Sequence, residues 1–538
     1  MPPAGKANVK NEGKMIACPC FAFTLRYLCK QKFSIMMSYP CPVLGRRMAL
    51  AALAVALASA DVAAQSLFAE QELANPANVP SPVFPVPTER QMQWFETEFY
   101  GFSHYGPNTF VGTEWGNDRK ADPTEYAPQT IPDCDQWVEA MHSAGMRGAV
   151  VICKHHDGFC LWPTQSTGFS VANGAGVSRE VDIPRLFSEA CRERGMKFGV
   201  YVSPWDASSP CYATDEYVTD VLMRQITELC TDYGPLFEIW FDGANGGNGY
   251  YGGDEMESRS IDKRVYYDWD NVADSVHKLQ PGCVVWGREF RWCGNEDGYS
   301  GRTCWSNFDS QEVYTETQSN TGIEDGLLFI PSEVDVRTTS KWFWTEDEKA
   351  KTPEQLFKIY LESVGRNATL IMNCAPASDG RMPDDVVASL KGLGKLIRSR
   401  LSKDYAAGKK AEADRTRMPG DFAAANVTDG DSSTYWTTDD GDTSGTVTVD
   451  LGRSRTVHYV MLQEYIRLGQ RIRSFNIETS TDGTDWQPFA EGTTVGYKRI
   501  MAHDDDTSRY GDGVKARYVR VNVTDSHTCP LLHTISVY

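Results

Sequence analysis

Phe237-Glu238-Ile239-Trp240-Phe241-Asp242-Gly243 is the stretch on which the fold turns. An apolar run of strand length ends on a carboxylate and a glycine. Other runs in the chain repeat the habit. Phe99–His104, Gly148–Lys154, Lys197–Ser203, Cys283–Glu289 and Ala368–Asn373 also read as strands, with amphipathic segments Asp135–Ala144, Ile183–Arg194 and Asp220–Thr231 between them. Strand-then-helix repeated over about 300 residues predicts an α/β fold, a (β/α)8-like barrel. His104, the run Lys154-His155-His156-Asp157, the run Ser203-Pro204-Trp205-Asp206, and Asp242 all fall at or just past a strand's C-terminal end. In such barrels that end carries the chemistry.

Working outward, Asp384–Arg400 reads as a closing helix, and the charged stretch 403–417 as a linker. From about Met418 the pattern becomes Thr/Val alternation with Gly and Asp turns. Thr446–Leu451, Val457–Gln463, Ser474–Thr479 and Tyr518–Val523 predict an all-β sandwich (jelly-roll) over 418–538. The barrel is expected over 90–402, behind a Pro-rich lead-in at 65–89. Residues 1–64 carry a net charge of +6 in a chain whose total is −19. Within them, Arg46-Arg47 precede a short apolar run from Met48, and Val62-Ala63-Ala64 offers small residues for cleavage. This predicts a signal peptide behind an upstream extension, hence a periplasmic or secreted protein. The apolar run is too short for a stable membrane span.

An acidic chain repels phosphate backbones, which argues against nucleic acid as a partner. The 14 Trp, 24 Tyr and 23 Phe suit sugar-binding clefts, although large cores use aromatics too. Four of the 15 Cys precede residue 42 and eleven follow, with no spacing that marks a zinc ribbon or a dense disulfide scaffold. Oligomeric state is not encoded in any pattern here.

Sugar cleavage requires two carboxyl groups flanking the glycosidic bond. With 72 acidic residues, only context can choose them. Asp242 has that context, at a strand end walled by aromatics, although an Asp before Gly is also an ordinary turn. Glu296, in Arg291-Trp292-Cys293-Gly294-Asn295-Glu296-Asp297-Gly298, is the second candidate, with Asp297 and Glu289 as competitors. A loop acid near aromatics can be pushed toward its protonated form. His155-His156 invites a metal reading, but adjacent strand residues face opposite ways and no further ligand motif supports zinc. Hydrogen bonding to sugar hydroxyls suits them better.

The ordered motifs resemble glycoside hydrolase family 29, the retaining α-L-fucosidases. They are Phe102-Ser103-His104-Tyr105-Gly106-Pro107, Thr113-Glu114-Trp115-Gly116, Lys154-His155-His156-Asp157-Gly158-Phe159, Gly199-Val200-Tyr201-Val202-Ser203, Trp240-Phe241-Asp242-Gly243 and Asn373-Cys374-Ala375-Pro376. The resemblance implies Asp242 as nucleophile. It also implies a fucose pocket lined by His104, Glu114, Trp115, His155, His156, Tyr201 and Trp240, with no catalytic cofactor. The Gly294-Asn295-Glu296 segment resembles the subfamily that prefers α-1,3/1,4-linked fucose, in which Glu296 would be the acid/base. Trp342 or Trp344 would line the aglycone side. Fucosylated glycans are the implied partners. Tyr105 and Gly116 depart from the usual Trp and Tyr of the first two motifs. Thr428-Asp429-Gly430-Asp431, Val449-Asp450-Leu451-Gly452 and Tyr518-Val519-Arg520-Val521 are similar to coagulation-factor type C (discoidin-like) domains. Such domains often hold a structural calcium, for which Asp429 and Asp431 are the candidates here. Two rival readings are a glycan-binding protein on a degenerate barrel and a metal hydrolase using His155 and His156.

Overall fold

The computed structural model describes residues 79–538 apart from 121, 244–245, 310–314, 418–420 and 506–511. The chain divides into two units, Met1–Val79 and Pro80–Tyr538, and every element named below belongs to the second. The export segment read at 46–64, and most of the lead-in before Val79, lie outside the described residues.

Eight parallel strands form one curled sheet in the order β5-β4-β3-β2-β1-β8-β7-β6. They are β1 Phe99–Ser103, β2 Gly148–Lys154, β3 Lys197–Val202, β4 Leu236–Phe241, β5 Val284–Val285, β6 Arg291–Trp292, β7 Ser332–Arg337 and β8 Ala368–Asn373. β1, β2, β4 and β8 are buried at every residue, because side chains fill one face and helices cover the other. The helices start where capping chemistry dictates. Asp182 accepts from Arg185 N at 3.1 Å, opening the helix Ile183–Glu193 with Pro184 in its first turn. Thr352 and Gln355 form a capping box ahead of Pro353–Ser363.

Three segments differ from expectation, each for a local reason. The strand expected over Cys283–Glu289 is two residues long. At Gly287 (φ +72°) the chain turns, Gly287 N donates to Phe290 O at 3.0 Å, and β6 begins at Arg291 with no helix between. The helix expected from Asp220 starts as a π-turn over Tyr217–Leu222, becoming α over Met223–Asp232. There Tyr217 is pinned, donating to Pro204 O at 2.8 Å and accepting from Lys154 at 2.9 Å. Lys410–Ala413, inside the stretch read as a linker, is a strand at the edge of the second domain, paired with Val447–Asp450.

That domain is a sandwich of antiparallel strands, one sheet of five and one of four. Gly445–Val457 shows the alternating burial of a strand with one face on a core, and Val447, Val449, Phe475, Ile477 and Trp436 fill that core. The sandwich is packed onto the barrel. Tyr459, Met461, Ile500 and Ala502 belong to the barrel's own apolar cluster. Asn367 donates to Cys304 O at 2.8 Å and accepts from Tyr497 N at 2.7 Å. All eleven cysteines among the described residues are free thiols, ten of them buried. Among the described residues, no helix is long and apolar enough to cross a membrane.

Candidate active site

The polar residues at the strand ends converge on one pocket. His104, just past β1, bonds Asn373 at the end of β8, Nδ1 to Oδ1 at 2.9 Å. The Asn373 amide donates its Nδ2 to Trp342 O at 2.7 Å, which fixes Oδ1 as an acceptor. His104 therefore carries its proton on Nδ1 and presents Nε2 as an acceptor. Burial pushes its pKa down to about 3, so the ring stays neutral.

After β2 the chain turns at Gly158 (φ +89°), where a Cβ would lie 2.1 Å from Asp206 Oδ1. Lys154 anchors this turn from below, fully buried and paired with Asp206 at 3.7 Å. The turn sets His155 and His156 with ring centroids 4.2 Å apart. Ser203 spends its proton on Trp205 O at 2.8 Å, so it accepts from His156 Nδ1, also at 2.8 Å. His156 Nε2 then faces Asp242 Oδ2 at 3.6 Å. His155 Nδ1 is buried without a hydrogen-bond partner, and burial holds both rings below the ordinary histidine range.

Asp242 stands at the mouth with 28% of its side chain exposed. Tyr201, from β3, donates to Asp242 Oδ2 at 2.9 Å. Its ring stacks on Trp240 with centroids 5.4 Å apart and planes 20° from parallel. Trp115 is half exposed, with its ring 4.9 Å from that of His156. Glu114 Oε2 accepts from Trp342 N at 3.2 Å, its Oε1 is buried without a partner, and burial raises its pKa.

Trp342 joins the two sides. Its ring lies 5.0 Å from His104 and 6.2 Å from Phe102, and its indole N–H donates to Glu296 Oε2 at 3.2 Å. Arg337, from the end of β7, pairs with the same carboxylate at 3.2 Å, and its guanidinium lies 5.2 Å over the Trp342 ring. Glu296 thus sits in a charged setting at the rim, with 43% of its side chain exposed, rather than in an apolar loop. Its competitor Glu289 is tied up elsewhere, bonded to Arg90 at 2.6 Å and His277 at 2.8 Å. Beside Asp242 a cavity of about 380 Å³ opens between Trp286, Trp292, Lys263 and Arg288.

The sequence marks Asn373 and Ser203 only as members of motifs, with no role of their own, and Arg337 not at all. Asn373 carries the same signal as His104, a polar residue closing an apolar strand, and the strand-end rule applied to β8 finds it.

The alpha-L-fucosidase family profile matches residues 82–400. The chain belongs to the alpha-L-fucosidase family. A second profile, the F5/8 type C domain, matches residues 410–534. Alpha-L-fucosidase 1 of Arabidopsis thaliana is 32% identical, over 85% of this chain and 88% of that protein. A crystal structure of a glycoside hydrolase 29 family member from an unknown rumen bacterium is 34% identical with a TM-score of 0.73, covering 86% of this chain and 78% of that one. A Ruminococcus gnavus glycoside hydrolase 29 fucosidase, solved in complex with fucose, is 29% identical with a TM-score of 0.75, covering 86% and 96%. This fucosidase is thus a glycoside hydrolase, with a barrel followed by a discoidin-like sandwich.

Two metal readings can be set against the geometry. His156 uses Nδ1 on Ser203, and His155 and His156 do not belong to the cluster of three candidate ligands found among the described residues, Glu324, Asp325 and His527. Glu324 in that cluster already pairs with Arg473 at 2.7 Å. Asp429 and Asp431, the candidates for calcium, are engaged within their own turn. Asp429 accepts from Asp431 N at 2.8 Å and from Thr434 at 2.7 Å, and Asp431 accepts from Ser433 N at 2.9 Å.

Proposed function

We propose that this fucosidase is a periplasmic or secreted enzyme that removes terminal α-1,3/1,4-linked L-fucose from oligosaccharides or glycoconjugates by a retaining double displacement. Asp242 is the nucleophile. Its carboxylate attacks the anomeric carbon as the glycosidic C–O bond breaks, and Glu296 gives its proton to the departing glycan oxygen. Glu296, now a carboxylate, takes a proton from water as that water attacks the same carbon and frees Asp242. Two displacements return the original configuration.

The observation that carries this reading is the ring of donors and acceptors around one strand-end carboxylate. Tyr201 donates to Asp242 and His156 Nε2 faces it at 3.6 Å, while His155 Nδ1 and Glu114 Oε1 are buried polar atoms without a hydrogen-bond partner in the same group of strand-end residues. Buried polar atoms without partners call for an explanation, and sugar hydroxyls satisfy donors and acceptors alike. Trp115, Trp240 and Trp342 supply flat apolar faces for the methyl group and ring of fucose. The fucose complex of the Ruminococcus gnavus relative supports the same ligand for this chain. The linkage preference rests on the Gly294-Asn295-Glu296 segment, and export rests on the charged and apolar pattern at 46–64.

The test is Asp242→Ala. Turnover of an aryl α-L-fucoside is expected to fall by about 10⁴-fold or more. Azide, attacking directly, should restore it and yield the inverted fucosyl azide. Near wild-type rates in this variant would dismiss the assignment. Linkage is read separately, by fucose release from α-1,2, α-1,3, α-1,4 and α-1,6 fucosides. Equal release from all four would dismiss the α-1,3/1,4 preference.

A further inference from the structure

Beneath the pocket, inside the barrel, lie two acids that the reaction above does not use. Glu238 on β4 and Glu333 on β7 are each 0% exposed. Their carboxyl groups are in hydrogen-bonding contact with one another. The groups that donate to them are neutral. Trp94 Nε1 reaches Glu238 Oε2 at 2.6 Å, Trp240 Nε1 reaches Glu333 Oε1 at 2.5 Å, and the Tyr100 hydroxyl donates to Glu333 Oε2. Tyr100 on β1 is itself 3.1 Å from Thr369 on β8. The other ionisable groups that feel the pair's charge are acids as well: Asp335 on β7, Cys283 before β5 and Cys293 after β6. Among the described residues no cation pairs with either carboxylate.

Two ionised carboxylates in contact, buried and without a cation, repel too strongly to persist. One oxygen shows where the remedy lies. Glu238 Oε1 is buried and has no hydrogen bond of its own, the nearby Tyr100 hydroxyl donating to Glu333 Oε2, while the other oxygen of Glu238 and both oxygens of Glu333 are engaged. A proton between the two carboxyl groups completes the set.

We infer that Glu238 and Glu333 hold one proton between them, and that this pair is the positioning group that fixes Trp240, and through its stack on Tyr201 the hydrogen bond to Asp242. The inference rests on the reading of Asp242 as the attacking group. The route is short. Glu333 clamps the indole N–H, the indole face lies 5.4 Å from the Tyr201 ring, and the Tyr201 hydroxyl donates to Asp242 at 2.9 Å. Phe102, 5.8 Å from Trp240 and 5.7 Å from Tyr201, closes the side of the stack. Burial raises both acids above the ordinary carboxylate range, in keeping with a retained proton.

Two variants test this. In Glu238→Gln the amide N–H takes the place of the shared proton while its oxygen still accepts from Trp94, so the network closes with Glu333 ionised and no proton shared. Infrared difference spectra in D2O, wild type minus Glu238→Gln, should show the carbonyl band of a protonated carboxyl group at neutral pH. Its absence would overturn the shared proton. In Glu333→Gln only one oxygen remains for two donors, Trp240 and Tyr100. The kcat per folded molecule should fall roughly tenfold while KM changes little, because the stack under Asp242 loosens. A purely structural pair would lower the folded fraction or the melting temperature and leave kcat per folded molecule at the wild-type value. That outcome would overturn the positioning role. The infrared band does not depend on which residue attacks the sugar, so a failed Asp242 assignment leaves that arm readable.

Discussion

At Asp242 a tyrosine hydroxyl and an imidazole meet the carboxylate in different ways. Tyr201 donates a 2.9 Å hydrogen bond, while His156 Nε2 stands off at 3.6 Å. A hydrogen bond to a charged group is worth about 1.5–3 kcal/mol, so Tyr201→Phe is expected to lower kcat/KM by roughly 10- to 100-fold. The ring stays, and with it the stack on Trp240, so the melting temperature should change little. A wild-type kcat/KM in this variant would mean that Tyr201 only fills space.

At the scale of elements, the strands that were easiest to read are those buried on both faces. Gly148–Lys154 and Ala368–Asn373 have the expected bounds, because a wholly buried strand writes itself as an unbroken apolar run. Cys283–Glu289 misleads by the same logic. Its apolar run continues past β5, but Gly287 at φ +72° turns the chain. Lys410–Ala413 was illegible for the opposite reason. The inward face of this four-residue edge strand is only Ala411 and Ala413, too small to stand out among charged neighbours. The site divides likewise. His104 and Asp242 stand out as polar residues closing strands, which makes them candidates, and it takes the ordered motifs around them to give each a role. Trp342 and Arg337 enter the site because β7 pairs with β8, and the loop after β7 brings Trp342 against Phe102 and His104, a placement that no local pattern carries. Glu238 and Glu333 look like ordinary acids in the sequence, and only burial in the barrel gives them a common proton to hold.

For the whole molecule, the sandwich is bound to the barrel by a shared apolar cluster. Tyr459, Met461, Ile500 and Ala502 pack with barrel residues, and Phe357 meets Tyr459 at 6.2 Å between ring centroids. Two bodies with a common core melt together. Scanning calorimetry is expected to show one endotherm for barrel and sandwich, and Met461→Asp, which places a charge in that cluster, should destabilise the protein by about 3 kcal/mol or more. Two well-separated endotherms in the wild type would show the sandwich to be an independent module. The same packing bears on the sandwich's role, since a domain whose inner face is committed to the barrel has only its loops and outer sheet left for a ligand.

The eleven free thiols among the described residues have a consequence for how this molecule fails. While folded, ten of them are sealed away from oxidants. Once the chain opens in an oxidising medium all become available together, and none has a native bridge to return to. Mispaired sulfurs then trap the open chain, so inactivation on heating becomes one-way and its progress is set by the rate of opening rather than by an equilibrium. Shelf life in air would follow from that rate, and a reductant added during heating would lengthen recovery without changing a single folded-state contact.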